Sequence, residues 1–303
     1  YNNGTATYAT LAHTHRFDGE TELTTRVRRG AYTRDQRAST IRLTAGEDLS
    51  NFGANTTLTR GTQNKIQDLD SVYLQSDLSA KFDALGMRHE LLSGIDVARE
   101  QKTVYAARTA AQGLGGVDLI KPNTTIGTPD DGAWVNEGSR VLRVNNQYTS
   151  TAWGAYAQDL AQIAPHWKLL AGLRYDNLNG NYNTFAAPAA SASNGTLTNY
   201  KMNVGEWSKR VGALFQPNER ESYHVSAATS FNTSGDAYSL GASNADVPPE
   251  QSINLELGAK IDSANKNFTT RYALFRSTKL HERNTDPLVD VAVLSGKRHA
   301  TGL

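Results

Sequence analysis

Along most of the chain apolar and polar residues alternate one for one, and very little repeats every three or four positions. Successive side chains of an extended strand point to opposite faces, so a period of two marks a strand with one apolar and one polar side. Residues 72–82 give the clearest run. Val72, Leu74, Leu78, Ala80 and Phe82 share one side, and Tyr73, Gln75, Asp77, Ser79 and Lys81 share the other. The pattern returns where Leu169, Ala171, Leu173 and Tyr175 oppose Lys168, Gly172, Arg174 and Asp176. It returns again over 210–216, 222–231 and 254–261. Weaker runs cover 7–17, 22–32, 89–97, 152–160 and 269–275. With a last partial strand from Arg298, the chain is predicted to form about eleven strands.

The connections alternate between short and long. Short turns fall at 18–20, 83–86, 164–166, 217–219 and 262–265, and long polar loops at 37–65, 104–146, 186–202, 234–250 and 282–297. This places every long loop at one end of the sheet, as in an outer-membrane barrel. In a compact soluble domain, loops of this length would be out of place. Several alternating runs also exceed the usual strand of about 5–6 residues and reach the 9–11 or so that a tilted membrane strand needs. Phe17, Phe82, Trp167, Phe215, Tyr223 and Phe231 near strand ends are candidates for an interfacial aromatic girdle. Ordinary half-buried strand aromatics are the alternative.

Composition narrows the field. The 303 residues carry 31 Lys+Arg against 30 Asp+Glu, a net charge of +1. Such a balance supplies no electrostatic footprint for nucleic acid. The absence of cysteine excludes a disulfide framework and thiolate metal ligands. A mean hydropathy of −0.53 looks soluble, but only alternate residues of a barrel strand face lipid, so it does not exclude a membrane. No apolar run approaches the roughly 18 residues of a membrane helix, and no signal peptide opens the chain at Tyr1. The chain stops at Gly302 and Leu303 in mid-alternation. Both ends are expected to continue into a longer protein.

Asp130, Asp131, Glu137 and the scattered histidines match no nucleophile elbow, triad or zinc-protease spacing, so no enzyme is expected. His13 and His15 share a strand face without an evident third ligand, so no metal site is expected.

Residues 249–260, PEQSINLELGAK, resemble the PE-x-S-x-N-x-E-x-G-x-K signature of TonB-dependent siderophore receptors. Further matches follow in order at 155–159, 171–176, 210–217, 230–232, 273–279, 283–287 and 296–303. The resemblance implies an all-β fold, an antiparallel transmembrane barrel of about 22 strands with a plugged lumen. Residues 1–303 would be about half of that barrel, with the plug domain and the C-terminal strands outside this chain. It also implies a multi-pass protein of a Gram-negative outer membrane, in contact with its lipid, that imports ferric siderophores. The TonB-ExbB-ExbD complex would act on it through the missing plug. The ferric siderophore would be transported ligand, and no cofactor is implied. Residues 283–287, RNTDP, look closest to catecholate-type receptors. A haem or cobalamin receptor, a passive porin-like channel and a soluble β-rich adhesion module remain as alternatives.

In such a receptor Asn254, Glu256 and Lys260 would line the polar lumen, and Gly258 would admit a neighbouring side chain or the plug. Ligand contacts are expected from the extracellular loops: Tyr105, Arg108, Trp134, Arg140 and Arg143 in the longest, and Tyr238 in 234–250. Aromatic rings and guanidinium groups suit a planar anionic ferric catecholate. The alternative is that they pack or solvate their own loop.

Overall fold

The computed structural model describes all residues except 47–49, 51, 234–238, 243, 246, 286–291 and 295. Its strands are β1 (Asn2–Arg16), β2 (Thr21–Leu43), β3 (Thr57–Ala84), β4 (Met87–Ala107), β5 (Thr124–Thr125), β6 (Leu142–Ala164), β7 (Trp167–Phe185), β8 (Leu197–Asn218), β9 (Glu221–Asn232), β10 (Glu250–Asp262), β11 (Thr269–Leu280), β12 (Arg283–Thr285), β13 (Ala292–Leu294) and β14 (Lys297–Gly302). Eleven of them form one sheet in the order β1-β2-β3-β4-β6-β7-β8-β9-β10-β11-β14, the number that the alternation predicts. Each pairs antiparallel with its neighbours. The two-residue β5 adds to the upper end of β3, and β12 pairs with β13 alone.

The lower turns are tight for local reasons. At 17–20 the Asp18 carboxylate accepts from the Glu20 and Thr21 amides at 2.8 and 2.6 Å, an Asx-type closure. Between β3 and β4, Leu85 and Gly86 take φ of 52° and 75°, the left-handed pair that a two-residue hairpin turn requires.

At the upper end the structure corrects the expected loops. The stretch 37–65 is mostly strand: β2 and β3 stay paired from Arg37↔Asn64 to Leu43↔Leu58, which leaves a connection of 44–56. The first of these added rungs bring Ala38, Ser39 and Thr40 against Gly61, Thr62 and Gln63, and only the last ones carry Ile41, Leu43 and Leu58. The rungs of 38–40 with 61–63 are polar or small on both faces, so no alternation marks them. The loop 104–146 likewise contracts to 108–141, because β4 and β6 pair up to Ala107↔Leu142.

Register fixes which way each side chain points, because paired residues share a face. Val27, Leu74 and Val97 form one continuous row, as do Leu169 with Ala213 and Ala171 with Val211. This is the outward, apolar face, with Leu169, Leu173, Val211, Val225, Leu255 and Leu257 all exposed on it. Two aromatic rows frame it. Below, Trp167, Phe215 and Tyr223 stand at 4.7 and 6.4 Å between ring centres. Above, Trp153, Tyr175 and Trp207 stand at 5.4 and 5.0 Å. The lower row contains three of the girdle candidates. The upper row is new, since its members sit in mid-strand and not at strand ends.

The inward face carries ion pairs at mid-wall. Arg174 donates to Asp96 at 2.8 and 3.1 Å and to Asp176 at 2.9 Å. Lys168 donates to Glu90 at 3.0 Å, and Arg26 to Asp77 at 3.3 Å. Each arginine or lysine among them would cost about 2–4 kcal/mol if it faced lipid at mid-membrane. Gly258 meets its expectation: the His224 ring lies where a Cβ would stand, with its Nε2 2.8 Å from Glu256.

Candidate functional site: the upper inner wall

At mid-height on the inward face, β1, β2 and β3 enclose a groove of about 630 Å³ lined by Arg26, Arg28, Tyr32, Leu69, Tyr73 and Gln75. Its shape follows from one glycine. The Tyr32 ring lies down over Gly30, in the space a Cβ would fill, so the wall dips there and the ring forms its floor. Arg28 then sits between two rings. Its guanidinium is 4.5 Å from the centre of Tyr8, and Nη2 is 3.5 Å from the Tyr32 hydroxyl. Arg28 makes no ion pair among the described residues, whereas Arg26 beside it shares Asp77. Tyr73 donates to Glu100. The groove thus offers aromatic faces, phenolic hydroxyls and one guanidinium without a carboxylate partner, which attracts a flat anion.

None of these residues is among those that the sequence marks. Arg28, Tyr32 and Tyr73 lie inside strands, where they read as wall. The available signal was that all three occupy the polar phase of the alternation while carrying aromatic or cationic groups.

The loop 108–141 has a different character. Arg140 donates both terminal nitrogens to Asp35 at 2.8 and 2.6 Å and Nε to the Glu137 carbonyl at 2.9 Å. Arg108, 4 % exposed, donates to the Ala192 carbonyl at 2.8 Å and to that of Ser193, which ties this loop to 186–196. From β3, Arg60 grips Asp131 at 2.6 and 2.8 Å and the Pro122 carbonyl at 2.7 Å. That grip, with the Ala133 amide, holds the Asp131 carboxyl down at about 2. Tyr105 donates to Asp68 at 3.0 Å. Ile66 and Asp68 are in register with Tyr105 and Thr103, in phase with outward-facing Val72 and Leu74, so Tyr105 points away from the lumen. Trp134 is 75 % exposed.

Arg143 is the loop-proximal candidate that faces inward, opposite Ala106 across a register shift. Burial and the neighbouring Arg108 charge push its guanidinium below the ordinary value, and its Nε is buried without a partner. Tyr238 lies outside the described residues. Leu240, among the described residues, is buried against Tyr148, Tyr182, Met202 and Val204 of the upper inner wall.

The signature residues serve the frame. Glu250 accepts from the Arg283 amide at 3.0 Å and pairs with Lys279 at 2.8 Å. Arg283 donates to the Val247 carbonyl at 2.9 Å. Three stretches that are separate in sequence therefore meet at the tops of β10 and β11. Among the described residues no group of three or more His, Asp or Glu could hold a metal ion. His13 and His15 stack at 6.5 Å, with Phe17 at 4.5 Å from His15.

Residues 1–298 match the family model described as TonB dependent receptor-like, beta-barrel. The chain belongs to this family. Among curated relatives, a probable TonB-dependent siderophore receptor, PiuA, of Acinetobacter baumannii is 25% identical over 238 residues, 72% of this chain and 31% of the relative. The catecholate siderophore receptor Fiu of Escherichia coli O6:H1 is 25% identical over 226 residues, 67% of this chain and 28% of the relative. The TonB-dependent receptor fold is equally plain in solved structures. The closed form of the ferric-catecholate import receptor Fiu from E. coli K12 superposes with a TM-score of 0.82 at 20% identity, over 100% of this chain and 44% of that one. For PiuA from A. baumannii the TM-score is 0.79 at 20% identity, over 98% of this chain and 43% of that one. The chain thus spans less than half the length of these relatives. It is an outer-membrane barrel wall, and its family is one of receptors.

Proposed function

We propose that the protein to which this wall belongs imports ferric siderophores, of catecholate type, across the outer membrane. The groove of β1–β3 contributes contacts to the ligand on its way through. Further strands continue from the free edges of β1 and β14, a plug fills the lumen, and the TonB-ExbB-ExbD complex supplies the energy. No bond of the ligand is made or broken by the wall.

The observation that carries this reading is the placement of Arg28 between Tyr8 and Tyr32 on the inward face. A ferric catecholate presents flat rings and negative charge, which stack on tyrosine and pair with guanidinium. The names of the relatives point the same way. The open sheet edges support continuation, because unpaired backbone N–H and C=O groups are not tolerated in lipid.

The test is uptake by the complete receptor in an iron-starved host without siderophore receptors of its own. Radiolabelled iron is offered on catecholate, hydroxamate and haem carriers, with and without TonB. Uptake from a catecholate carrier that requires TonB is expected. Uptake of haem iron alone would keep the barrel and overturn the siderophore. Uptake that persists without TonB would turn the reading into a passive channel.

A further inference from the structure

The outward face holds a second set of cations that transport does not use. Arg29 of β2, Val72 of β3 and Arg99 of β4 stand directly opposite one another in register. Neighbouring strands are about 4.8 Å apart, so the two arginine backbones are roughly 10 Å apart with Val72 between them. Both are exposed and lie in phase with Val27, Leu74 and Val97, the apolar row one step lower on the same face. Neither makes a hydrogen bond or an ion pair among the described residues. Asp70, one step higher, lines the same shallow groove of about 380 Å³ with Gln101 and bonds to neither arginine. Across β6 and β7 the row continues as Thr151 and Asn179. The upper aromatic residue Trp153 lies one step below Thr151 on β6. The two arginines therefore stand at the outer boundary of the lipid-facing belt.

We infer that Arg29 and Arg99 together hold the phosphate of a lipid headgroup in the external leaflet, with Val72 under its first acyl carbons. Two unpaired guanidinium groups on a lipid-facing surface gain little from water once lipid packs against the row below. A phosphate gives each of them a bidentate, charge-assisted partner. Gln101 and Thr151 supply further donors for the headgroup's polar oxygens. The site depends on the outward face meeting lipid and not on what the receptor carries, so failure of the siderophore reading would leave it untouched.

The complete receptor in an uncharged detergent would be titrated with phosphatidic acid, with phosphatidylcholine of the same chains and with inorganic phosphate, and bound molecules counted by native mass spectrometry. Phosphatidic acid is expected to be retained in preference to the other two. The Arg29→Gln/Arg99→Gln receptor should bind it about tenfold more weakly, and the receptor with Lys209→Gln, a cation of β8 on the same outward face in register with Leu173, should bind it as the unaltered one does. Retention should also fall at high salt in the unaltered receptor, an observation that needs no variant to fold. Equal retention of phosphatidylcholine, salt-independent retention, or undiminished binding by the double variant would overturn the site. So would binding of inorganic phosphate as tight as that of the lipid.

Discussion

Arg140 and Arg28 both lie beside a tyrosine ring, Tyr1 at 5.7 Å and Tyr8 at 4.5 Å, yet they have opposite surroundings. Arg140 meets two carboxylates, and its side chain is 8 % exposed. Arg28 meets a ring and a hydroxyl and is open to the lumen. The extracellular loop spends its arginines on holding itself to the wall, and the wall leaves its own arginine available. The type of residue in a loop is therefore a poorer guide to ligand contact than the partners that the fold has already given it.

Three variants or conditions would break this contrast or sharpen it. The largest effect is expected from Arg140→Ala, which strands Asp35 and leaves Glu137 with Arg37 alone, and which should cost the loop about 1–3 kcal/mol. Hydrogen exchange in the complete receptor would read this as faster exchange across 108–141. Unchanged protection there would show that Arg140 is not a clamp. Next, Arg28→Ala should weaken ferric siderophore binding about tenfold, some 1.4 kcal/mol, with loop exchange unaltered. If Arg140→Ala reduced affinity and Arg28→Ala did not, the two regions would exchange roles. The smallest effect concerns acid. Asp131 is held at about 2 by its bond to Arg60, against about 3.9 in an unfolded chain. A depressed carboxyl stabilises fully above the unfolded value and loses that contribution as pH falls through the folded one. Amides near 122–133 should therefore keep their protection down to about pH 4 and lose it towards about pH 2. Loss already at neutral pH would mean that the Arg60 grip does not hold the loop.

How much of this was legible in the sequence depended on whether a residue faced lipid. Leu169, Ala171 and Leu173 alternate with polar neighbours because the membrane requires apolar groups outward and the lumen accepts charge, so the strands and their phase could be read directly. Above the membrane that demand ends. Rungs 38–40 of β2 and 61–63 of β3 are polar or small on both sides and read as loop, although β2 and β3 are paired throughout. The candidate site was obscured for a related reason. Arg108 and Arg140 are bound by partners 84 and 105 residues away, and no local pattern encodes such distances. The Gly30–Tyr32 step that shapes the groove was visible only as an ordinary strand.

The two aromatic rows also act as a ruler. Trp167 and Tyr175 lie eight positions apart on β7, and at about 3.3 Å per residue and a tilt near 40° this is roughly 20 Å of height. A typical hydrocarbon core is about 30 Å thick, so an ordinary bilayer would have to thin around this wall, at fractions of a kcal/mol for each Å of mismatch. The spacing of a few rings thus favours short-chain, thin membranes, and it would sort the protein towards them before any ligand is met.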